Sequence, residues 1–84
     1  MKIEDKICEL IEEEINKNNY ILDEVVYVKE GGVQFLRIII DKEGFINVDD
    51  CLKVYHAINP ILDKKDPIKE QYMLDVCSKE KGRE

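Results

Sequence analysis

Cationic charge is outnumbered in this chain of 84 residues: 13 lysines and arginines stand against 19 aspartates and glutamates, a net charge of −6. That balance argues against a protein that holds nucleic acid by bulk electrostatics. A basic protein partner fits better, through charge-complementary steering, although solubility alone accounts for most of these charges. Cysteine occurs only at Cys8, Cys51 and Cys77, odd in number, widely spaced and without a Cys-x-x-Cys. This argues against a disulfide frame or a zinc site and for reduced, packed thiols in a cytoplasmic protein. Histidine occurs once, as His56. Cys51 lies five positions before it, a spacing that does not bring two side chains together on a helix, so no cysteine–histidine nucleophile is expected. Long apolar runs are missing too. The one around Ile38 is far too short to span a bilayer, and the opening MKIEDK mixes both charge signs where a secretory signal would be basic and then apolar. No repeat or low-complexity segment interrupts the chain.

What remains is one folded domain near the lower size limit for independent stability, with an ordinary 44% of apolar residues. Ile3, Ile7, Leu10, Ile11 and Ile15 recur at spacings of three and four, predicting a helix over residues 1–17. Asp5, Glu9, Glu12, Glu13 and Asn16 lie on its other side, so its exposed face is acidic. Asn18 and Asn19 suit its end. A first strand is predicted over residues 20–29. Leu22, Val26 and Val28 share one parity and Val25 and Tyr27 the other, leaving open which set faces inward. Asp23-Glu24 interrupts the alternation, as a bulge or a frayed start does.

Lys29-Glu30-Gly31-Gly32 joins this strand to the next, and paired glycines supply the positive φ angles of a tight hairpin. In the second strand Leu36, Ile38 and Ile40 form one face, and Phe35, Arg37 and Ile39 the other. A strand apolar on both faces belongs at the centre of its sheet. Asn47 followed by Asp50 reads as a capping-box start to a second helix. Asp49 and Asp50 sit at the positive end of its dipole, worth on the order of 0.5 kcal/mol each. Cys51, Leu52, Tyr55, Ile58 and Leu62 form its expected buried stripe, with Pro60 expected to kink it or restart its last turn. Residues 63–71 read as a charged loop with Pro67 as a breaker, residues 72–77 as a third strand, and residues 79–84 as a charged, disordered tail.

The order helix, strand, strand, helix, strand places strand three parallel to strand two through a right-handed crossover. The expected fold is α+β: an α-β-β-α-β chain with a three-stranded mixed sheet in order 1-2-3, strand two central, and both helices on one face. The opposite face, with Phe35, Arg37 and Ile39, is then left uncovered. Arginine among aromatic and aliphatic neighbours is the composition of a protein–protein contact, and Val25 and Tyr27 are candidates to extend it. Strand propensity alone also accounts for such a face. The order is KH-like, but no Gly-x-x-Gly loop is present to clamp a nucleic-acid backbone, so no strong independent nucleic-acid binding is expected. Asp49 and Asp50 lack a second cluster of oxygen ligands, which makes them helix-capping residues rather than a cation site. Gly31-Gly32 joins strand to strand and lacks the spacing of a phosphate-binding loop.

Taken together, Tyr27-Val28-Lys29-Glu30-Gly31-Gly32, Leu36-Arg37, Ile40-Asp41-Lys42, Gly44, Asp49-Asp50-Cys51, Leu62-Asp63, Asp66-Pro67-Ile68, Tyr72, Leu74-Asp75-Val76 and Ser78 resemble the N-terminal domain of the ribosome maturation factor RimP family. The match runs in order through nearly the whole chain and makes residues 1–78 a RimP N-terminal-like domain. The resemblance implies a cytoplasmic, non-enzymatic factor, without cofactor or catalytic residues, that assists late assembly of the small ribosomal subunit. It also implies contact with a basic small-subunit protein. One departure stands out. In the family the third strand runs into a Ser-Ser-Pro-Gly-Leu-Asp-Arg segment and a second, small β-barrel domain, whereas here Ser78 is followed by KEKGRE. The sequence thus reads as a single-domain relative or a shortened form. Candidate contact residues are Tyr27, Phe35, Arg37 and Ile39 on the sheet and Glu9, Glu12 and Glu13 on helix one. The competing expectation is a general interaction module that pairs weakly with itself through the open sheet face.

Overall fold

The stripe of isoleucines sets the first element. In the computed structural model, which describes residues 2–79, α1 spans Ile3–Lys17 and buries Ile7, Ile11 and Ile15 completely. The Asn18 side chain donates to the Glu14 carbonyl at 2.8 Å, and Asn19 turns the chain with a left-handed φ of 71°. Both asparagines therefore end the helix as expected. Tyr20 follows at once and is itself buried.

β1 (Ile21–Glu30) and β2 (Val33–Asp41) form the hairpin, with Glu30 paired to Val33 across a two-residue turn. Gly31 and Gly32 have φ of +56° and +81°, the double positive that a two-residue hairpin of native twist requires. The register shifts between Leu22 and Glu24, so Asp23 is the extra residue of a bulge. This settles the parity of β1. Before the bulge Leu22 faces the core; after it Val25 and Tyr27 do, opposite Ile38 and Leu36.

α2 spans Val48–Lys65 and starts with the capping box read from the sequence. The Asp50 amide donates to the Asn47 side chain, and the Asn47 amide donates to Asp50 Oδ2, each at 3.0 Å. Its buried stripe differs from expectation. Val54, Ile58 and Leu62 are fully buried, Cys51 and Tyr55 are half-buried, and Leu52 is 50% exposed. The helix is rotated so that Val54, three residues after Cys51 and four before Ile58, faces the sheet. Pro60 does not interrupt the helix, which runs through it unbroken. Pro60 and His56, whose carbonyl loses its donor, both lie on the exposed side, where water serves instead. Asp66 ends α2 in the left-handed region, and Pro67 delivers Ile68 into the core from a segment expected to be loop.

β3 (Met73–Ser78) pairs parallel to β2, giving the sheet order β1-β2-β3 with β2 central. α1, α2 and the centre of the sheet each give three fully buried residues to a single core, the last being Leu36, Ile38 and Ile40. Lys79, expected in a disordered tail, is instead anchored. Its amide donates to the Ile40 carbonyl at 2.7 Å and its ammonium lies 3.3 Å from Asp23. The rest of that tail, residues 80–84, lies outside the described residues.

Candidate functional site

The face of the sheet opposite the helices is built from three cross-strand rows. Val28, Phe35 and Met73 form one, Val26, Arg37 and Asp75 the next, and Glu24, Ile39 and Cys77 the third. Phe35, Arg37 and Ile39 are thus brought together as expected, half-buried by one another, and no helix or strand among the described residues covers them. The arginine is already engaged. Its Nε donates to Asp75 Oδ2 at 3.1 Å, its Nη2 lies 3.6 Å from Glu30 Oε1, and its guanidinium sits 5.4 Å from the Phe35 ring centre. The Asp75 hydrogen bond, with Glu30 behind it, holds the guanidinium pKa above its already high value. Chemically the face is a band of apolar side chains with a neutralised centre, not a cationic patch.

Tyr27 is not part of it. The bulge at Asp23 turns Tyr27 to the helix side, opposite Leu36, where its hydroxyl donates to Glu70 at 3.1 Å. Burial, then this bond, raises the Tyr27 pKa. Val26 and Val28 take its place on the open face, and Val25 leaves with Tyr27 for the core side. Glu9, Glu12 and Glu13 are exposed on α1, which packs on the other side of the sheet. The two sets of candidate residues therefore lie on opposite sides of the domain and form two surfaces rather than one site.

A family model described as the RimP N-terminal domain matches residues 10–79, from the second half of α1 through β3 to Lys79. The chain belongs to the RimP N-terminal domain family. RimP proteins are ribosome maturation factors of the small subunit and not a known enzyme family.

Sequence reasoning missed a polar junction in this RimP N-terminal domain. The Tyr20 hydroxyl donates to Asp50 Oδ1 at 2.6 Å, while Lys42 Nζ lies 3.3 Å from Asp50 Oδ2 and 5.8 Å from the Tyr20 ring centre. It joins the start of β1, the end of β2 and the first turn of α2. The hydrogen bond to Asp50 pushes the Tyr20 pKa up to about 12, with burial adding to it. The same bond, with the Asn47 amide and Lys42, holds Asp50 down to about 2. Only the capping role of Asp50 was visible in sequence, since both other partners are brought in by the fold.

Burial raises the thiol pKa at Cys8, Cys51 and Cys77, which keeps them protonated and poorly nucleophilic. His56 is exposed, with its ring edge-on to Tyr55 at 5.6 Å. Among the described residues no three His, Cys, Asp or Glu side chains converge as a metal site, and no helix is long and apolar enough to cross a membrane.

Proposed function

We propose that this domain is a non-enzymatic factor in small-subunit maturation that acts in the cytoplasm by binding a basic small-subunit ribosomal protein. The observation that carries the reading is the family match over residues 10–79. The net charge of −6 supports a basic partner, as do Glu9, Glu12 and Glu13, which have no ion pair among the described residues. Phe35, Ile39, Val26 and Val28 offer a second, apolar contact surface beside the Arg37–Asp75 pair. The test is co-sedimentation with small-subunit precursor particles at moderate salt. Absence of the domain from the particle fraction overturns the reading.

A second reading, self-association through the open sheet face, is favoured by the exposed Met73 and half-buried Phe35 in the same row. Sedimentation velocity separates the two. A dimer dissolved by Phe35→Asp supports self-association, and a monomer indifferent to that change removes it.

A further inference from the structure

Each edge of this sheet is treated differently by the sequence. The β1 edge is blunted by the bulge at Asp23 and by the charged Glu24, Lys29 and Glu30, the ordinary protections against pairing with another chain. The β3 edge has no bulge, and its one charge, Asp75, is already paired with Arg37. Backbone direction alternates along a strand, and the Lys79 amide points to β2, so the amides and carbonyls of Leu74, Val76 and Ser78 point away from it. These three residues carry no charge and no proline.

Beside that edge runs a trough against α2. Its first half, about 230 Å³, is walled by Val48, Leu52 and Tyr55 on the helix and by Leu74 and Val76 on the strand. Val48 and Leu52, one helical turn apart, are 74% and 50% exposed, and Phe45 just before them is 94% exposed. The second half, about 580 Å³, shares Tyr55 and Leu74 with the first and is bordered by Asp63, Asp66, Glu70 and Tyr72. Among the described residues on its wall, only Lys69 is basic. Burial and then the charges of Asp63 and Asp66 raise the Tyr72 pKa. The negative end of the α2 dipole falls at the same place. The trough is apolar at one end and anionic at the other.

We infer that an extended segment of the basic partner docks here, adding as a fourth strand on β3, its alternate apolar side chains over Val48 and Leu52 and a lysine or arginine among Asp63, Asp66 and Glu70. The inference rests on the proposed binding of a basic protein and assigns it a place. Main-chain pairing to Leu74, Val76 and Ser78 supplies affinity, and the two halves of the trough supply specificity and direction. A second copy of the chain fits less well, because each copy carries −6 and the two repel.

Two variants and one peptide test this. Ser78→Pro removes an outward amide without touching the pairing to β2, a position where an edge strand tolerates proline. Leu52→Glu places a charge in the apolar half on an exposed helix face, and remains readable should Ser78→Pro fail to fold. Both are expected to weaken co-sedimentation with precursor particles about tenfold or more while the domain still unfolds cooperatively, with a midpoint within roughly 10 °C of the wild type. Wild-type binding that both folded variants retain overturns the docking site and leaves the proposed function standing. Failure of the wild type to co-sediment overturns the proposed function instead. The site is then judged by titrating the isotope-labelled domain with an extended synthetic peptide of alternating valine and lysine. Shifts centred on the amides of Leu74, Val76 and Ser78, lost in Leu52→Glu, support it. Shifts confined to α1 or the open sheet face, no shifts at all, or a wild-type dimer dissolved by Ser78→Pro overturn it.

Discussion

Val54→Ala and Leu52→Ala read the rotation of α2 directly, because the two residues sit two positions apart and differ from 1% to 50% exposure. Truncating Val54 removes two carbons from a site closed by Ile58 and Leu62, forfeiting about 1.6 kcal/mol of transfer free energy at roughly 0.8 kcal/mol per carbon. The cavity left behind raises the total to about 2–3 kcal/mol, less roughly half a kcal/mol that alanine gains over β-branched valine in a helix. Truncating Leu52 removes three carbons, but half of that surface already faces water. The cost is about 1 kcal/mol, reduced by the few tenths that alanine gains as a helix former. In a domain of this size the melting temperature should fall by roughly 10–20 °C for Val54→Ala and by no more than about 4–8 °C for Leu52→Ala. Thermal unfolding followed by circular dichroism, supported by urea midpoints at constant slope, is the assay. A Leu52→Ala cost equal to or above that of Val54→Ala would refute both the helix phase and the exposed wall of the trough.

Four further outcomes follow from the geometry. Gly31→Val should cost about 1–2 kcal/mol, since nothing lies within 4 Å of an added Cβ and only the positive φ resists it. Gly31→Asn should be close to neutral in the same urea titration, and equal costs for the two would remove the backbone argument. Asp50 is held from an ordinary 3.8 down to about 2, so folding favours its charged form. Its contribution is complete above that ordinary value and fades as pH falls through it towards about 2, and Asp50→Asn should flatten this part of the acid limb of a stability–pH profile. Tyr20, pushed from 10.0 to about 12, acts in the opposite sense: its contribution is present below 10.0 and lost as pH rises towards about 12, a loss that Tyr20→Phe should abolish. Arg37→Met leaves Asp75 and Glu30 facing each other without their cation, so its melting temperature should fall at low salt and partly recover as salt is added. A loss independent of salt would point to packing on Phe35 instead.

Features written in adjacent residues were legible beforehand. The Gly31-Gly32 turn, the Asn47–Asp50 capping box and the asparagine stop of α1 each depend on contacts within a few positions. The central place of β2 was legible too, because a strand apolar on both faces has few other places to be. What the sequence hid depends on distant partners. Asp23-Glu24 marked an irregularity, but only the shifted pairing with Ile39 and Ile40 shows that Tyr27 turns inward. Leu52 outranks Val54 in apolarity, so the pattern alone misplaced the stripe of α2. Ile68 lay in a stretch too charged to suggest core. Arg37 was found, while Asp75, its partner 38 residues away, needed the parallel register to be seen.

The position of β2 also governs time. Its pairing with β1 closes through two glycines, whereas its pairing with β3 must gather a stretch that includes all of α2, a slower and entropically costlier closure. The hairpin is therefore the part expected to form early, and the β2–β3 pairing the part expected to follow it. A partner that pairs along β3 would grip the strand whose place in the sheet depends on the longest chain closure.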